Sequence, residues 1–230
     1  MNSTGFLALP VFTIGCMAAA PGQSVQAAEL VYFGRSTVKI RTASGFVLYI
    51  DPYAPGDYSE PADLVLVTHG HGDHNRVDLL KLKVGAVLAS APGAVPGKGV
   101  RFLAEGDEFK AGPVSVRALP ASNKNHRRGE TLGFLVAFDG IVMYHASDTS
   151  WLPEMEGFSK YGIDYALLPC DGFYNMGPDE ASKCAAAVKT RVVIPIHSSK
   201  TDLFDAGNAR AVRGSEVIVM APGQKTLLHP

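Results

Sequence analysis

The amino-acid sequence predicts an α/β fold in which two β-sheets pack face to face with helices outside. Three observations predict it. Short apolar runs follow one another through the first half, punctuated by turn residues, with 24 Gly and 15 Pro in 230 residues; many strands joined by tight loops read this way. Helix-type and strand-type segments alternate in the second half, and layered architectures arise from that order. No internal linker, fixed-period repeat or low-complexity segment divides the chain. Hydrophobic residues make up 47% and charged residues 19%, which is a globular rather than a disordered profile. The formal net charge of −1 implies no long basic face for a polyanionic partner such as nucleic acid.

The N-terminus reads as an export signal. Gly5 to Ala20 is apolar and uncharged, and Pro21-Gly22-Gln23-Ser24 follows. Val25-Gln26-Ala27 fits the small-residue cleavage rule, so residues 1–27 are expected to be removed and residues 28–230 to form the mature, periplasmic domain. No Lys or Arg precedes the apolar run, a departure from the usual signal. Lipid attachment at Cys16 is a second, weaker option. No other stretch reaches about 18 apolar residues, so no membrane span is expected. Cys170 and Cys184 are expected as buried free thiols, with one disulfide as the alternative.

The elements follow in order. Leu30 to Phe33 and Thr37 to Arg41 read as strands, and Phe46 to Ile50 follows across Ser44-Gly45. Leu64 to Val67 is a short continuous apolar run, the mark of a buried central strand. Val77, Leu79, Leu80 and Leu82 suggest a short helix, and Ala86 to Leu88 a strand. Several short antiparallel strands are expected between Val100 and Leu119, then a polar loop from Ala121 to Glu130. Leu132 to Phe138 and Ile141 to Tyr144 form a hairpin across Asp139-Gly140. Tyr165 to Leu168 is a strand. Pro178 opens a helix whose buried face is Ala181, Cys184, Ala185 and Val188. Val192 to Ile196 is a strand, Leu203 to Val212 a helix, and Glu216 to Met220 and Lys225 to Leu228 are closing strands.

Chemistry concentrates in Thr68-His69-Gly70-His71-Gly72-Asp73-His74, directly after a buried strand. Imidazole and carboxylate are preferred ligands of zinc and related divalent ions. Gly70 and Gly72 let the backbone turn so that neighbouring side chains converge. Three further candidates lie at or after strand ends: His126 in the polar loop, Asp148 after Ile141 to Tyr144, and His197 after Val192 to Ile196. His145 is read as a partner of the metal ligands or a packing residue, and His229 as surface.

These segments resemble the metallo-β-lactamase superfamily, and within it the branch of small metal-dependent hydrolases that includes the L-ascorbate-6-phosphate lactonases. Five segments carry the resemblance in chain order: Phe46 to Pro52, Thr68 to His74, Tyr144 to Thr149, Leu168-Pro169 with Met176 to Ala181, and Val193 to His197. Ser147 stands where the family usually has glycine. The resemblance implies a four-layer αββα sandwich of two mixed sheets. It also implies two divalent ions, zinc first with manganese or iron possible on this donor set. His69, His71 and His126 would hold one ion, Asp73, His74 and His197 the other, and Asp148 would bridge them.

The implied reaction is attack by metal-bound hydroxide on a small ester, lactone, amide or phosphodiester, with the second ion as Lewis acid. Asp73 would orient the nucleophile, and Asp73 and Asp148 are the expected catalytic carboxylates. Asp51 would fix the tautomer of a ligand histidine or cap a turn. Asp171 is a candidate polar group near the site or a loop residue. Lys124, Arg127 and Arg128 form a charged run read first as a solvated loop face and second as recognising an anionic group, and Trp151, Phe173 and Tyr174 could line a pocket wall or sit in the core. Pattern alone picks out no substrate-binding residue and no oligomeric state. The competing readings are a non-catalytic exported metal-binding protein and a nuclease of the same fold. A small-molecule substrate is preferred, since no nucleic-acid-binding arm is visible.

Overall fold

A computed structural model describes residues 27–230. The expected export signal, all but Ala27, and Cys16 lie outside the described residues.

Two seven-stranded mixed sheets face one another. The first contains β1 (Ala28–Gly34), β2 (Thr37–Arg41), β3 (Val47–Ile50), β4 (Ala62–Val67), β5 (Leu82–Ser90), β6 (Arg101–Phe102) and β14 (Lys225–Leu228). Their order is β14-β1-β2-β3-β4-β5-β6. The second contains β7 (Glu108–Ala111), β8 (Val114–Pro120), β9 (Leu132–Phe138), β10 (Ile141–His145), β11 (Tyr165–Pro169), β12 (Val192–Ile196) and β13 (Glu216–Val217), in the order β13-β12-β11-β10-β9-β8-β7. Helices are few. α1 (Pro178–Val188) packs on β11, on α2 (Ala206–Ala211) and on a 3₁₀ helix, Pro153–Tyr161.

Side-chain alternation explains the layers. Along β9, Phe134, Val136 and Phe138 enter the main core while Leu135 enters the cluster beneath the helices. Along β12, Val192, Ile194 and Ile196 face one way and Val193 the other. A strand buried on both faces must be apolar throughout, which is why Val192 to Ile196 reads as an unbroken run. The face of α1 buried against the second sheet is Ala181, Cys184, Ala185 and Val188, as the helical spacing predicts. Cys170 and Cys184 are free and buried.

Strand direction decides where the site can be. β3 and β4 are parallel, β2 is antiparallel to β3, and β1 is antiparallel to β2. The C-terminal ends of β1, β3 and β4 therefore share one edge of the first sheet. In the second sheet β8 and β10 are both antiparallel to β9, and β10, β11 and β12 are parallel. Their C-terminal ends share one edge too. Two backbone hydrogen bonds join these edges: Leu132 N–H donates to Thr68 O at 3.0 Å and His197 N–H to Arg35 O at 2.8 Å.

Several local expectations are corrected. Val77–Leu79 is a single 3₁₀ turn, and Leu82 instead begins β5. β6 pairs in parallel with β5 rather than joining an antiparallel meander. α2 starts only at Ala206, because the Asp205 carboxylate accepts from Asn208 N–H and caps it there. β13 is limited to Glu216–Val217.

Candidate metal centre

The four clustered residues leave the end of β4, His126 sits in the loop after β8, and Asp148 and His197 follow β10 and β12. All seven converge where the two sheet edges meet. The nearest nitrogens of His69 and His71 are 3.1 Å apart, and those of His126 and His71 are 3.2 Å apart. Donors around a tetrahedral zinc bound at about 2.0–2.1 Å stand roughly 3.3 Å from one another. On the other side, His74 Nε2 lies 3.5 Å from Asp148 Oδ1 and 3.8 Å from Asp73 Oδ1. His197 Nε2 lies 3.5 Å from Asp148 Oδ2 and 3.8 Å from Asp73 Oδ2. His126 Nε2 lies 3.4 Å from Asp148 Oδ2. Asp148 thus stands between both sets.

The donor atoms fit a metal. His74 Nε2 and Asp148 Oδ1 are buried without a hydrogen-bond partner, a costly state that a cation would relieve. Three residue groups have donor atoms close enough to hold an ion: His69, His71 and His126; His69, His74 and Asp148; and Asp73, His74 and His197.

Behind the donors stands a set of braces. Asp51 Oδ2 is 2.7 Å from His74 Nδ1, and the same carboxylate accepts from Thr68 N–H and Thr68 Oγ1–H. Thr68 Oγ1 in turn meets His69 Nδ1 at 3.0 Å. His126 Nδ1 is 2.9 Å from Asn123 Oδ1, and Asp171 Oδ2 lies 3.0 Å from His197 Nδ1 as a charge contact without hydrogen-bond geometry. Asp171 Oδ1 also accepts from the backbone N–H groups of Phe173, Tyr174 and Asn175. Such partners hold the ring and set which nitrogen faces the metal.

Electrostatics divides the histidines. Burial and the neighbouring His74 push His69 well below its ordinary pKa, and burial lowers His126. Burial also opposes charge on His74, but Asp148 and Asp51 outweigh it and raise His74 well above its ordinary value. For His197, burial is again outweighed, by Asp148, Asp171 and Asp73, and the pKa rises to about 9. Burial favours the neutral form of Asp148, yet His197 and His74 hold it well below the usual carboxylate range. Asp73 is depressed likewise, chiefly by His197 against the effect of burial.

The backbone is strained at this edge. Arg35, Asp51, Ser147 and His197 all have positive φ, between 40° and 63°. A left-handed non-glycine residue costs on the order of 1–2 kcal/mol, and such residues cluster where geometry serves function.

The other expected residues fall as follows. His145 Nε2 is 2.9 Å from Ser36 O and its Nδ1 accepts from Ser147 N–H; it ties the two sheets together beside Asp148. Arg128 pairs with Glu105 and Glu154. Arg127 lines a cavity of about 290 Å³ beside His69, His71 and His126, and Lys124 is exposed. Tyr174 lines a second cavity, of about 260 Å³. Phe173 is exposed, and Trp151 packs into the cluster under α1. Sequence reasoning missed Asn123 and Arg35. Arg35 lines the second cavity with Asp73, Asp148 and His197, and its only advance signal was a place at a strand end.

Known proteins share this architecture. A crystal structure from Parabacteroides distasonis superposes with a TM-score of 0.71 at 27% identity, covering 83% of this chain and 91% of that one. Igni18, a metallo hydrolase from Ignicoccus hospitalis, gives 0.68 at 24% identity, covering 88% and 99%; at that identity it speaks for the fold alone. A UPF0173 metal-dependent hydrolase of Opitutus terrae is 32% identical over 225 residues, covering 85% of this chain and 98% of that protein. One of Pyrococcus furiosus is 35% identical over 202 residues, covering 77% and 90%. The family model for the beta-lactamase superfamily domain matches residues 29–197, a span that holds every donor described above. The chain belongs to the beta-lactamase superfamily, among the UPF0173 metal-dependent hydrolases.

Proposed function

We propose that this protein is a binuclear metal-dependent hydrolase acting on a small ester, lactone, amide or phosphodiester. The observation that carries the reading is Asp148, a buried carboxylate within 3.5 Å of three histidines from three loops, with one oxygen that has no hydrogen-bond partner. His69, His71 and His126 would hold one ion, and Asp73, His74 and His197 the other, with Asp148 shared. Bound divalent ions supply a water acidic enough to ionise near neutral pH and a Lewis acid for the substrate oxygen. The lactonase-like branch is our preferred subclass, on the five sequence segments that resemble it.

The chain's own groups do the rest. Asp73 is half-buried and lines the cavity. Held ionised by His197, it accepts a hydrogen bond from the attacking water and orients it. Asp51 keeps His74 turned with Nε2 toward the centre, and the Asp171 carboxylate draws His197 Nδ1 away from it by charge. Elemental mass spectrometry of the purified chain tests the reading: about two ions per chain are expected, zinc ahead of manganese or iron. Failure to take up metal after reconstitution would sink it. We also propose export, on the apolar segment Gly5 to Ala20; a mature protein starting at Ala28 in the periplasmic fraction is the expected result.

A further inference from the structure

We propose that Arg35 binds an anionic substituent of the substrate, a carboxylate or phosphate separate from the bond that is cut. The inference rests on the hydrolase reading for the word substrate, but the anion site stands on its own observations.

Arg35 is 9% exposed, and among the described residues no carboxylate lies within 4.0 Å of its guanidinium. A buried charge without a counter-ion is costly. Two of its nitrogens donate to main-chain oxygens, Nη1 to Ser199 at 2.7 Å and Nη2 to Lys200 at 3.2 Å. These carbonyls fix the side chain without neutralising it. Its Nε is buried and has no acceptor. The guanidinium thus keeps both an unmet donor and an unmet charge.

Position supplies the ligand's address. Arg35 follows β1, on the edge that also carries Asp51 and the histidine cluster. Its carbonyl accepts the N–H of His197, so its backbone is locked to a metal-donor residue. Arg35 lines the 260 Å³ cavity together with His71, Asp73, His126, Asp148 and Tyr174. Arg35 also has φ 51°, in a turn where glycine or asparagine would sit without strain. A large charged residue at a strained turn is poorly explained by folding alone. Guanidinium is the side chain best suited to a planar oxyanion. Arg127 and Lys124, by contrast, are exposed and Arg128 is occupied by two glutamates.

Calorimetric titration of the full chain with inorganic phosphate and with succinate, metal-free and again zinc-loaded, reads this site without turnover. Wild type is expected to bind one anion per chain, and the tighter of the two probes identifies phosphate or carboxylate as the native group. Arg35→Gln is expected to weaken binding at least tenfold at an unchanged circular dichroism spectrum. Arg35→Lys keeps the charge but loses the Nε donor and the paired anchors, so an intermediate loss is expected; it also serves if the glutamine variant does not fold. In turnover, a p-nitrophenyl ester carrying a terminal carboxylate should lose at least tenfold in kcat/KM with Arg35→Gln and less with Arg35→Lys, while its neutral counterpart changes little with either. Unaltered anion affinity in both variants, or no anion binding by wild type in either metal state, overturns the proposal. Arg35-dependent anion binding by a zinc-loaded chain that hydrolyses no ester, lactone, amide or phosphodiester would instead overturn the hydrolase reading and leave the anion site intact.

Discussion

Asp51 Oδ2 lies 2.7 Å from His74 Nδ1, with both side chains wholly removed from solvent. The same carboxylate also receives two hydrogen bonds from Thr68, so it links the ring of His74 to the residue that begins the histidine cluster. Asp51→Asn keeps the shape but replaces one acceptor oxygen by a donor. Outer partners of metal histidines are worth about 10–100-fold in metal affinity, and a loss in that range is expected. Competition against a chromophoric chelator measures it; wild-type affinity in the variant would reduce Asp51 to a turn residue.

Asp148 stands between two groups of donors, so its removal should affect both. Asp148→Asn is expected to lower the metal content to one ion per chain or fewer. The drop in kcat/KM should exceed the about 10–100-fold cost of losing an outer partner. His197→Ala, at one group only, should spare an ion held by His69, His71 and His126, as the proposed ligand division requires. Two ions retained in the Asp148 variant would show that the carboxylate is not shared.

Burial opposes protonation of both His74 and His197, yet nearby carboxylates raise both, His197 to about 9. In the metal-free chain the raised pKa of His197 gives stability that is fully present below about pH 6.5, its unfolded value. That contribution is lost as pH rises through about 9. A metal must displace these protons, because a ligand imidazole is neutral. Apparent zinc affinity is therefore expected to climb between pH 6 and 8, by roughly tenfold per unit for each proton released. Titration calorimetry in buffers of different ionisation enthalpy counts those protons. A release near zero at pH 7 would contradict the charge state assigned to His74 and His197.

The histidine cluster was legible in the sequence because its spacing is local: glycines separate the donors and a continuous apolar strand precedes them. Asp148 and His197 were legible as polar residues just beyond apolar runs, and the buried face of α1 as a helical repeat. Arg35 was not, because its significance depends on β1 running parallel to β3 and β4, which no local pattern encodes. The link between Asp171 and His197 likewise depends on the pairing of β11 with β12. The 3₁₀ helix Pro153–Tyr161 contains Gly157 and ends at left-handed Gly162; with those breakers the segment carries no helical pattern in the sequence. Leu82 was drawn into a helical pattern by its spacing from Leu79, whereas parallel pairing of Ala62 with Leu82 places it in the sheet.

Ser147 adopts φ 63° and its hydroxyl is buried without a partner. Both features oppose folding. The left-handed backbone costs on the order of 1–2 kcal/mol in a residue with a Cβ, and an unsatisfied buried polar group about 1–3 kcal/mol. Glycine removes both, while its unfolded flexibility returns a penalty of about 0.5–1 kcal/mol. Ser147→Gly should therefore raise stability by roughly 1–3 kcal/mol, read from the urea midpoint of the metal-free chain. The Ser147 N–H that donates to His145 Nδ1 is main-chain and survives the change, so the position of Asp148 and the metal content should not move. A variant no more stable than wild type would mean that the hydroxyl finds a partner in solution, and a variant that binds less metal would mean that the strained turn helps to aim Asp148.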